Sequence, residues 1–374
     1  MFATYEMEIL TPVHIGSGCR ILPLEYVLDR AQGKFVRVNM EALFRDRNFD
    51  SVLPRYINEV GTPGFRLYQF YPQACKFSCY ELVTDQVGLA ELESLSEGHV
   101  QAGIRDSCGW YVPGSSLKGA LRTLVYKANM DGALAQTLSN KIAEKLADHK
   151  TKKEWATSAA EQALTGNPHF SLFRVVKIGD SSVVDSADVG LFVAKVLSMK
   201  KGTGHSWKGF SKGNVYNPSA ATPLFFEALQ PKVKLSGKFS IDSKLLNNVH
   251  VRLPNKQYLD NIWAKIREYQ ARYLHEEKEF FAGVGLNELV NAYDKLTAKN
   301  DKLEENEIIV QLGWGTGYKV KTLKEGVPEE LFTRIVRRFN MTRREDFPYP
   351  KTRKVIFRDG RPETVPGFIK LKFL

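Results

Sequence analysis

The chain has 374 residues, is 43% hydrophobic, and carries 53 Lys and Arg against 42 Asp and Glu, a formal net charge of +11. That length and apolar content support buried cores in two domains of ordinary size and exclude disordered and fibrous classes. Its four cysteines, Cys19, Cys75, Cys79 and Cys108, are too few and too scattered for a disulfide framework, and no second Cys or His pair follows at zinc-finger spacing. Neither a metal nor any other cofactor is expected.

Residues 4–10 alternate as a strand and run into Thr11-Pro12-Val13-His14-Ile15-Gly16-Ser17-Gly18, a turn of small residues. Residues 23–28 and 34–38 are predicted to pair as a hairpin. A short helix is expected over 41–47, a loop-rich stretch broken by prolines over 49–74, and a strand over 76–83. Pro113-Gly114 is a turn dipeptide, Ser115 and Ser116 are expected helix N-caps, and Leu117, Ala120, Leu121, Leu124 and Val125 then fall on one helical face. Lys118 and Arg122 lie off that face. A helix N-terminus with hydroxyls and nearby cations is suited to a phosphate; equally, these residues suit an ordinary capped helix with solvated charges.

From about 126 to 163 the Ala/Lys/Glu-rich sequence predicts a helical insertion, closed by Gly166-Asn167-Pro168. The expected domains are therefore 1–167, carrying that insertion, and 168–374, carrying a basic C-terminal region. The second half repeats the pattern, with strands expected at 172–178, 189–197, 224–229 and 233–241, and a long helix at 257–281. Between strands lies a loop in which Lys200, Lys201, Lys208 and Lys212 alternate with Trp207 and Phe210, a composition suited to phosphate contact with base stacking, or to a solvated loop. A strand at 307–312 opens into Gly313-Trp314-Gly315-Thr316-Gly317-Tyr318-Lys319, a helix follows from Pro328 to Phe339, and a strand closes the chain. Strands, helices and glycine loops placed straight after strands predict an α+β class with two related domains.

The charge is uneven: from Arg334 to Lys372 twelve Lys and Arg stand against four Asp and Glu. Arg337, Arg338, Arg343 and Arg344 lie so close together that an anionic partner is expected, nucleic acid before membrane. The N-terminal residues lack the basic and apolar pattern of a signal peptide, and no segment approaches a membrane span, so a cytoplasmic protein is expected. The Gly313–Gly317 loop fits neither a phosphate-binding P-loop nor a dinucleotide fingerprint. It is read either as a packing turn or as a backbone kept small so that RNA can lie against it beside Lys319 and Lys321. His14 is a candidate general base for RNA cleavage or a hydrogen-bonding loop residue. No carboxylate cluster, Ser/His/Asp pattern or Cys/His pair offers other chemistry.

The motifs TPVHIGSG, YVPGSSLKGALRT, FRVVKIGDSS, and LGWGTG followed by FPYPKTRK together resemble the RAMP proteins of CRISPR systems. Within them the chain resembles the family of fifth Csm subunits, which cap the 3′ end of the guide RNA in type III-A effector complexes. The resemblance spans the chain; the helical insertion and the Lys200–Lys212 loop do not align by eye. It implies two ferredoxin-like (RRM-like) domains, RNA binding without intrinsic nuclease activity, and no enzyme. It also implies partnership with guide crRNA, with backbone RAMP and small subunits of a Csm-type complex, and indirectly with target RNA; host nucleases are a further candidate partner. Gly114 to Lys118 and Gly313 to Gly317 would lie along the guide. Two other readings stay open: a CRISPR repeat endoribonuclease of the same superfold using His14, and the capping RAMP subunit of a related Cmr complex.

Overall fold

A computed structural model describes residues 3–152, 164, 171–199, 204–210, 213–248, 250, 253–341 and 349–374. Its strands are, in chain order, β1 (Ala3–Ile9), β2 (Gly16–Ile21), β3 (Tyr26–Asp29), β4 (Lys34–Val38), β5 (Ser78–Val83), β6 (Val100–Gly103), β7 (Val176–Ser181) and β8 (Val189–Met199). They continue with β9 (His205–Lys208), β10 (Asn214–Val215), β11 (Leu224–Leu229), β12 (Lys234–Ile241), β13 (Glu307–Gln311), β14 (Thr352–Arg358), β15 (Arg361–Thr364) and β16 (Phe368–Phe373). The architecture is α+β, as expected.

One sheet has the order β13-β16-β1-β12-β7, with every neighbouring pair antiparallel. In β1 the alternation anticipated from sequence buries Tyr5, Met7 and Ile9. Their face packs into the main core with helices Gly114–Ala128 and Ile262–Gly283. The opposite face is a charge ladder: Glu6 stands opposite Lys372, and Glu8 lies between Lys370 and Lys234. Lys370 reaches Glu307 at 3.0 Å and Lys372 reaches Glu304 at 2.7 Å. Thr4, Ser236 and Lys238 lie on the same face.

The larger sheet is built around β8, an 11-residue strand whose edges take β11, β5, β9 and β14, in the path β2-β6-β11-β8-β5-β4-β3. Both sheets draw strands from either side of residue 167, since β1 joins β12 and β16 while β6 joins β11. A division at that residue therefore does not separate one sheet from the other.

Two local expectations change. Residues 49–74 are not simply loop: they include short helices at Leu53–Glu59 and Leu67–Phe70, and Phe49, Tyr56, Leu67 and Ala74 bury against β3 and β4 in a separate small core. The strand expected at 172–178 starts with a 3-10 turn, Leu172–Arg174, and becomes strand only at Val176. Helix Asn287–Asn300 and strands β14 and β15 lie where no element was expected. Of the expected helical insertion, Gly132–Ala147 is a helix; much of the remainder to 163 lies outside the described residues.

Candidate nucleic-acid interface

The helix after Pro113 begins at Gly114, so Ser115 and Ser116 lie inside its first turn and are not its N-caps. Pro113 occupies the cap position without a side-chain bond. The Gly114 N–H donates to the Asp180 carboxylate at 2.7 Å, and the Ser116 and Leu117 N–H groups donate to the Pro113 carbonyl. A side-chain carboxylate on β7 thus already sits where a phosphate was considered, and it complements the helix dipole in the same way. Any Cβ at Gly114 would overlap the backbone of Ile178 and Gly179, which fixes the approach of helix to strand. The predicted apolar face is confirmed, with Leu117, Leu121, Leu124 and Val125 buried. Lys118 and Arg122 are half-buried on its flank. Burial, and secondly the Arg122 charge, lower the Lys118 pKa.

The two glycine loops, nearly 300 residues apart in the chain, meet. Gly313, Gly315 and Gly317 have φ of 87°, 87° and 89°, a left-handed region costly to other residues, so the G-x-G-x-G spacing is a backbone requirement. The Trp314 N–H donates to the His14 carbonyl at 2.8 Å, and the Gly367 N–H to the Pro12 carbonyl at 3.0 Å. Thr316 closes the loop on itself, its hydroxyl donating to the Gly313 carbonyl at 3.2 Å. A Cβ on Gly313 would overlap the His14 carbonyl, and one on Gly315 would come within 2.7 Å of Pro366. Gly317 faces open space.

His14 is 2% exposed. Its Nδ1 lies 2.6 Å from the Glu227 carbonyl, a geometry that requires the proton on Nδ1. Its ring meets Phe226 and Trp314 edge-on at 5.5 and 5.9 Å. Burial pushes its pKa down, against the opposing effect of the Glu227 carbonyl. His14 is therefore a neutral pin between β11 and the glycine loop. Beyond it Gly16, Ser17 and Gly18 are exposed on β2, with the Ser17 hydroxyl donating to the Ala102 carbonyl at 3.2 Å.

Glu227 was missed from sequence. Its buried carboxylate accepts from the Tyr80 hydroxyl at 2.6 Å, the Gly103 N–H at 2.9 Å and Trp110 Nε1 at 3.4 Å, while its carbonyl holds His14. Burial raises its pKa against those three donors. The one available signal was a lone acid within the apolar strand LFFEAL.

The cations divide into two kinds. Lys319 lies 3.3 Å from Glu277 and 3.5 Å from Glu276, and Glu277 also takes Arg353 through two bonds of 2.6 and 2.8 Å. Buried Lys127 donates to the Lys319 carbonyl and reaches Glu325 at 3.1 Å. Lys321 and Lys354 have no acidic partner among the described residues. Lys354 Nζ instead lies 4.7 Å from the Trp314 ring centroid. Sequence reasoning named Lys321 but left Lys354 inside a motif, because nothing in the sequence places β14 beside Trp314.

Elsewhere the candidates disperse. Arg337 and Arg338 are exposed at the end of helix Glu329–Arg338, with Arg338 donating to the His149 carbonyl at 2.7 Å. Lys208 donates to Asn214 at 3.0 Å. Trp207, read as a stacking residue, is buried edge-on against Phe357, whereas Phe210 is 63% exposed. Lys201, Arg343 and Arg344 lie outside the described residues. Among the described residues no three His, Cys, Asp or Glu side chains converge as a metal site, and no helix is long and apolar enough to cross a membrane.

Comparison with known proteins places this geometry. CRISPR system Cms protein Csm5 of Streptococcus thermophilus is 22% identical over 359 residues, covering 89% of this chain and 85% of the relative. Csm5 of Enterococcus italicus is 30% identical over 158 residues, covering 36% of this chain and 45% of that protein. Among solved structures, a chain of a Csm–crRNA–target RNA ternary complex from a type III-A CRISPR-Cas system matches with a TM-score of 0.67 at 16% identity, covering 99% of this chain and 100% of that one. The crystal structure of T. onnurineus Csm5 matches with a TM-score of 0.60 at 14% identity, covering 97% and 99%. The RAMP superfamily pattern matches residues 6–321, and with the matched region spanning both glycine loops and the helix between them, the chain belongs to the RAMP superfamily.

Proposed function

We propose that this chain is a non-catalytic RNA-binding subunit of a type III-A CRISPR (Csm) interference complex. In this reading it binds the 3′ part of the guide crRNA, caps the filament of backbone RAMP subunits and supports crRNA maturation in the cytoplasm. The observation that carries the reading is the likeness to Csm5 of Streptococcus thermophilus along 89% of the chain. The convergence of two glycine loops beside lysines that have no acidic partner among the described residues supports it, because such cations beside an open backbone suit a phosphodiester chain. Two ferredoxin-like units belong to the same proposal. The strand order β16-β1-β12-β7, with helix Gly114–Ala128 in the chain between β1 and β7, supports the first of them.

The endoribonuclease reading finds less support. General base catalysis needs a group that reaches the proton it takes, and His14 is enclosed, with Nδ1 committed to a carbonyl. Two experiments test the proposal. Co-expression with the other subunits and a repeat array, followed by sequencing of co-purified RNA, should give guides whose 3′ ends are protected only when this chain is present; unchanged ends in its absence overturn the reading. Purified protein incubated with repeat RNA without metal should leave it intact, and site-specific cleavage that disappears in His14→Ala would establish the nuclease instead.

A further inference from the structure

Glu227 has a second role on the side of β11 turned away from Trp314. Phe226 and Ala228 pack with Trp314 on one face of the strand, so the Glu227 side chain between them projects from the other. There its carboxylate holds two rings by their polar tips, the Tyr80 hydroxyl at 2.6 Å and Trp110 Nε1 at 3.4 Å. The rings stand at 86° to each other with centroids 4.8 Å apart, and so form a corner. Arg105 fills it, its guanidinium carbon 4.7 Å from each ring centroid.

Arg105 is exposed, and its guanidinium meets no carboxylate within ion-pair distance among the described residues. The Glu227 carboxylate below is served by Tyr80, Trp110 and the Gly103 N–H instead. Stacking fixes the plane of a guanidinium and leaves its N–H edge free for two parallel bonds to an oxyanion. The neighbourhood decides which oxyanion fits. Arg105 pairs with Trp110, and Trp110 with Val184, as isolated bridges, and a Cβ at Gly109 would overlap the Val184 carbonyl, so these segments are clamped together. One residue beyond lie exposed Asp106 and Asp185. Asp106 Oδ1 takes the Cys108 and Gly109 N–H groups at 2.7 and 3.0 Å, and Asp185 Oδ1 takes the Ala187 N–H at 2.8 Å. One cation beside two acids repels a phosphate chain, whose charge recurs at every nucleotide, but it suits a protein segment with a carboxylate next to a cation. Val183, 40% exposed in the same clamp, adds an apolar contact of the kind found at interface centres.

We propose that Arg105, seated in the corner of Tyr80 and Trp110, anchors a carboxylate of a neighbouring protein subunit, while Asp106 and Asp185 receive a flanking cation and Val183 the apolar contact. The proposal rests on the complex-subunit reading above and adds a protein-docking surface on the face of the larger sheet opposite Trp314. An arginine braced by two aromatic rings has little freedom left to lose on binding, and interface affinity concentrates on such residues.

The test measures, by biolayer interferometry, the Kd of the purified full-length chain for the complex assembled from the other subunits and crRNA without it. Arg105→Ala should raise that Kd about tenfold, the scale of a lost hot-spot residue. Arg105→Lys should raise it nearly as far, because an ammonium keeps the charge but not the stacked fork. Asp185→Lys and Val183→Ser should each raise it about threefold, and they carry the test if Arg105→Ala melts far below wild type. Arg105→Ala should keep the wild-type affinity and salt dependence for labelled oligouridylate. A photo-cross-linking residue at position 183 should join a segment of an adjacent subunit that has Asp or Glu beside Lys or Arg. Exchanging the charges, with Arg105→Glu here and lysine in place of that acid, should restore the wild-type Kd. A wild-type Kd in Asp185→Lys, Val183→Ser and a folded Arg105 variant overturns the anchor, as does a cross-link to RNA alone. Loss of oligouridylate affinity in Arg105→Ala overturns it in favour of a phosphate contact. A wild-type chain that does not bind the complex removes the subunit reading and the site together.

Discussion

Two strand-to-helix turns, at residues 112–118 and 312–319, read alike in sequence: a strand end, glycines, hydroxyls, a helix start and cations. In three dimensions they differ in how their polar groups are used. At the first, Asp180 takes the Gly114 N–H and the Pro113 carbonyl takes two more. At the second, a backbone bond to His14 braces the loop from beneath, Gly317 opens outward, and Lys321 and Lys354 have no acidic partner among the described residues. The lesson is that a cation or a free N–H counts toward anion binding only after the acids brought near by the fold have been subtracted.

The comparison breaks most forcefully at the apolar face beneath the first turn. Leu121→Ala should cost about 2–5 kcal/mol, since Leu121 is 2% exposed in the main core. Chemical denaturation checks this, and a loss under about 1 kcal/mol would mean that the helix is not anchored as described. Next, Gly313→Ala should cost about 1–3 kcal/mol from the left-handed backbone, with the overlap on the His14 carbonyl added. It should also reduce RNA affinity by shifting Trp314. Wild-type melting with wild-type affinity would remove the bracing role of the loop.

Asp180→Ala sharpens the contrast by opening the first turn. It should cost about 1 kcal/mol, the scale of a lost helix cap, and raise affinity for inorganic phosphate by freeing the Gly114 N–H. Phosphate-dependent melting that matches wild type would show that the carboxylate was not what kept anions out.

The smallest effect is expected from pH. The folded pKa of His14 is depressed by burial, so its contribution is fully present above the unfolded value of about 6.5 and is lost as pH falls from there toward the folded value. Below about pH 6.5 the unfolded chain takes up the proton while the folded chain does not. His14→Asn retains a donor for the Glu227 carbonyl without titrating, and should flatten the stability curve between pH 5 and 7. An identical slope in both proteins would assign the pH dependence elsewhere.

Much of the fold was legible because it depends on local periodicity. The alternation of β1, the apolar face of Gly114–Ala128 and the long helix Ile262–Gly283 follow from residue spacing alone. The burial of Trp207 and the small core at Phe49, Tyr56 and Leu67 were not legible, because aromatic residues among prolines and lysines give no period and only packing decides which side of them is dry. The candidate site divided in the same way. Gly313, Gly315 and Gly317 stood out by spacing, and Lys321 by proximity in the chain. Glu227 and Lys354 did not, since their partners come from β5, β6 and the glycine loop.

What the sequence determined by itself was chemistry carried by short stretches: a basic α+β chain, glycine loops after strands, a turn before an amphipathic helix, and the set of motifs shared with the RAMP superfamily. Only the tertiary structure decided which charges remain available. Neutralisation is a matter of a few ångströms between side chains that can be more than a hundred residues apart, as with buried Lys127 and Glu325. Coulomb energy follows that distance and not the separation along the chain. The same reason turned His14 from a candidate base into a pin, because its partner, the Glu227 carbonyl, lies 213 residues away in sequence and 2.6 Å away in space.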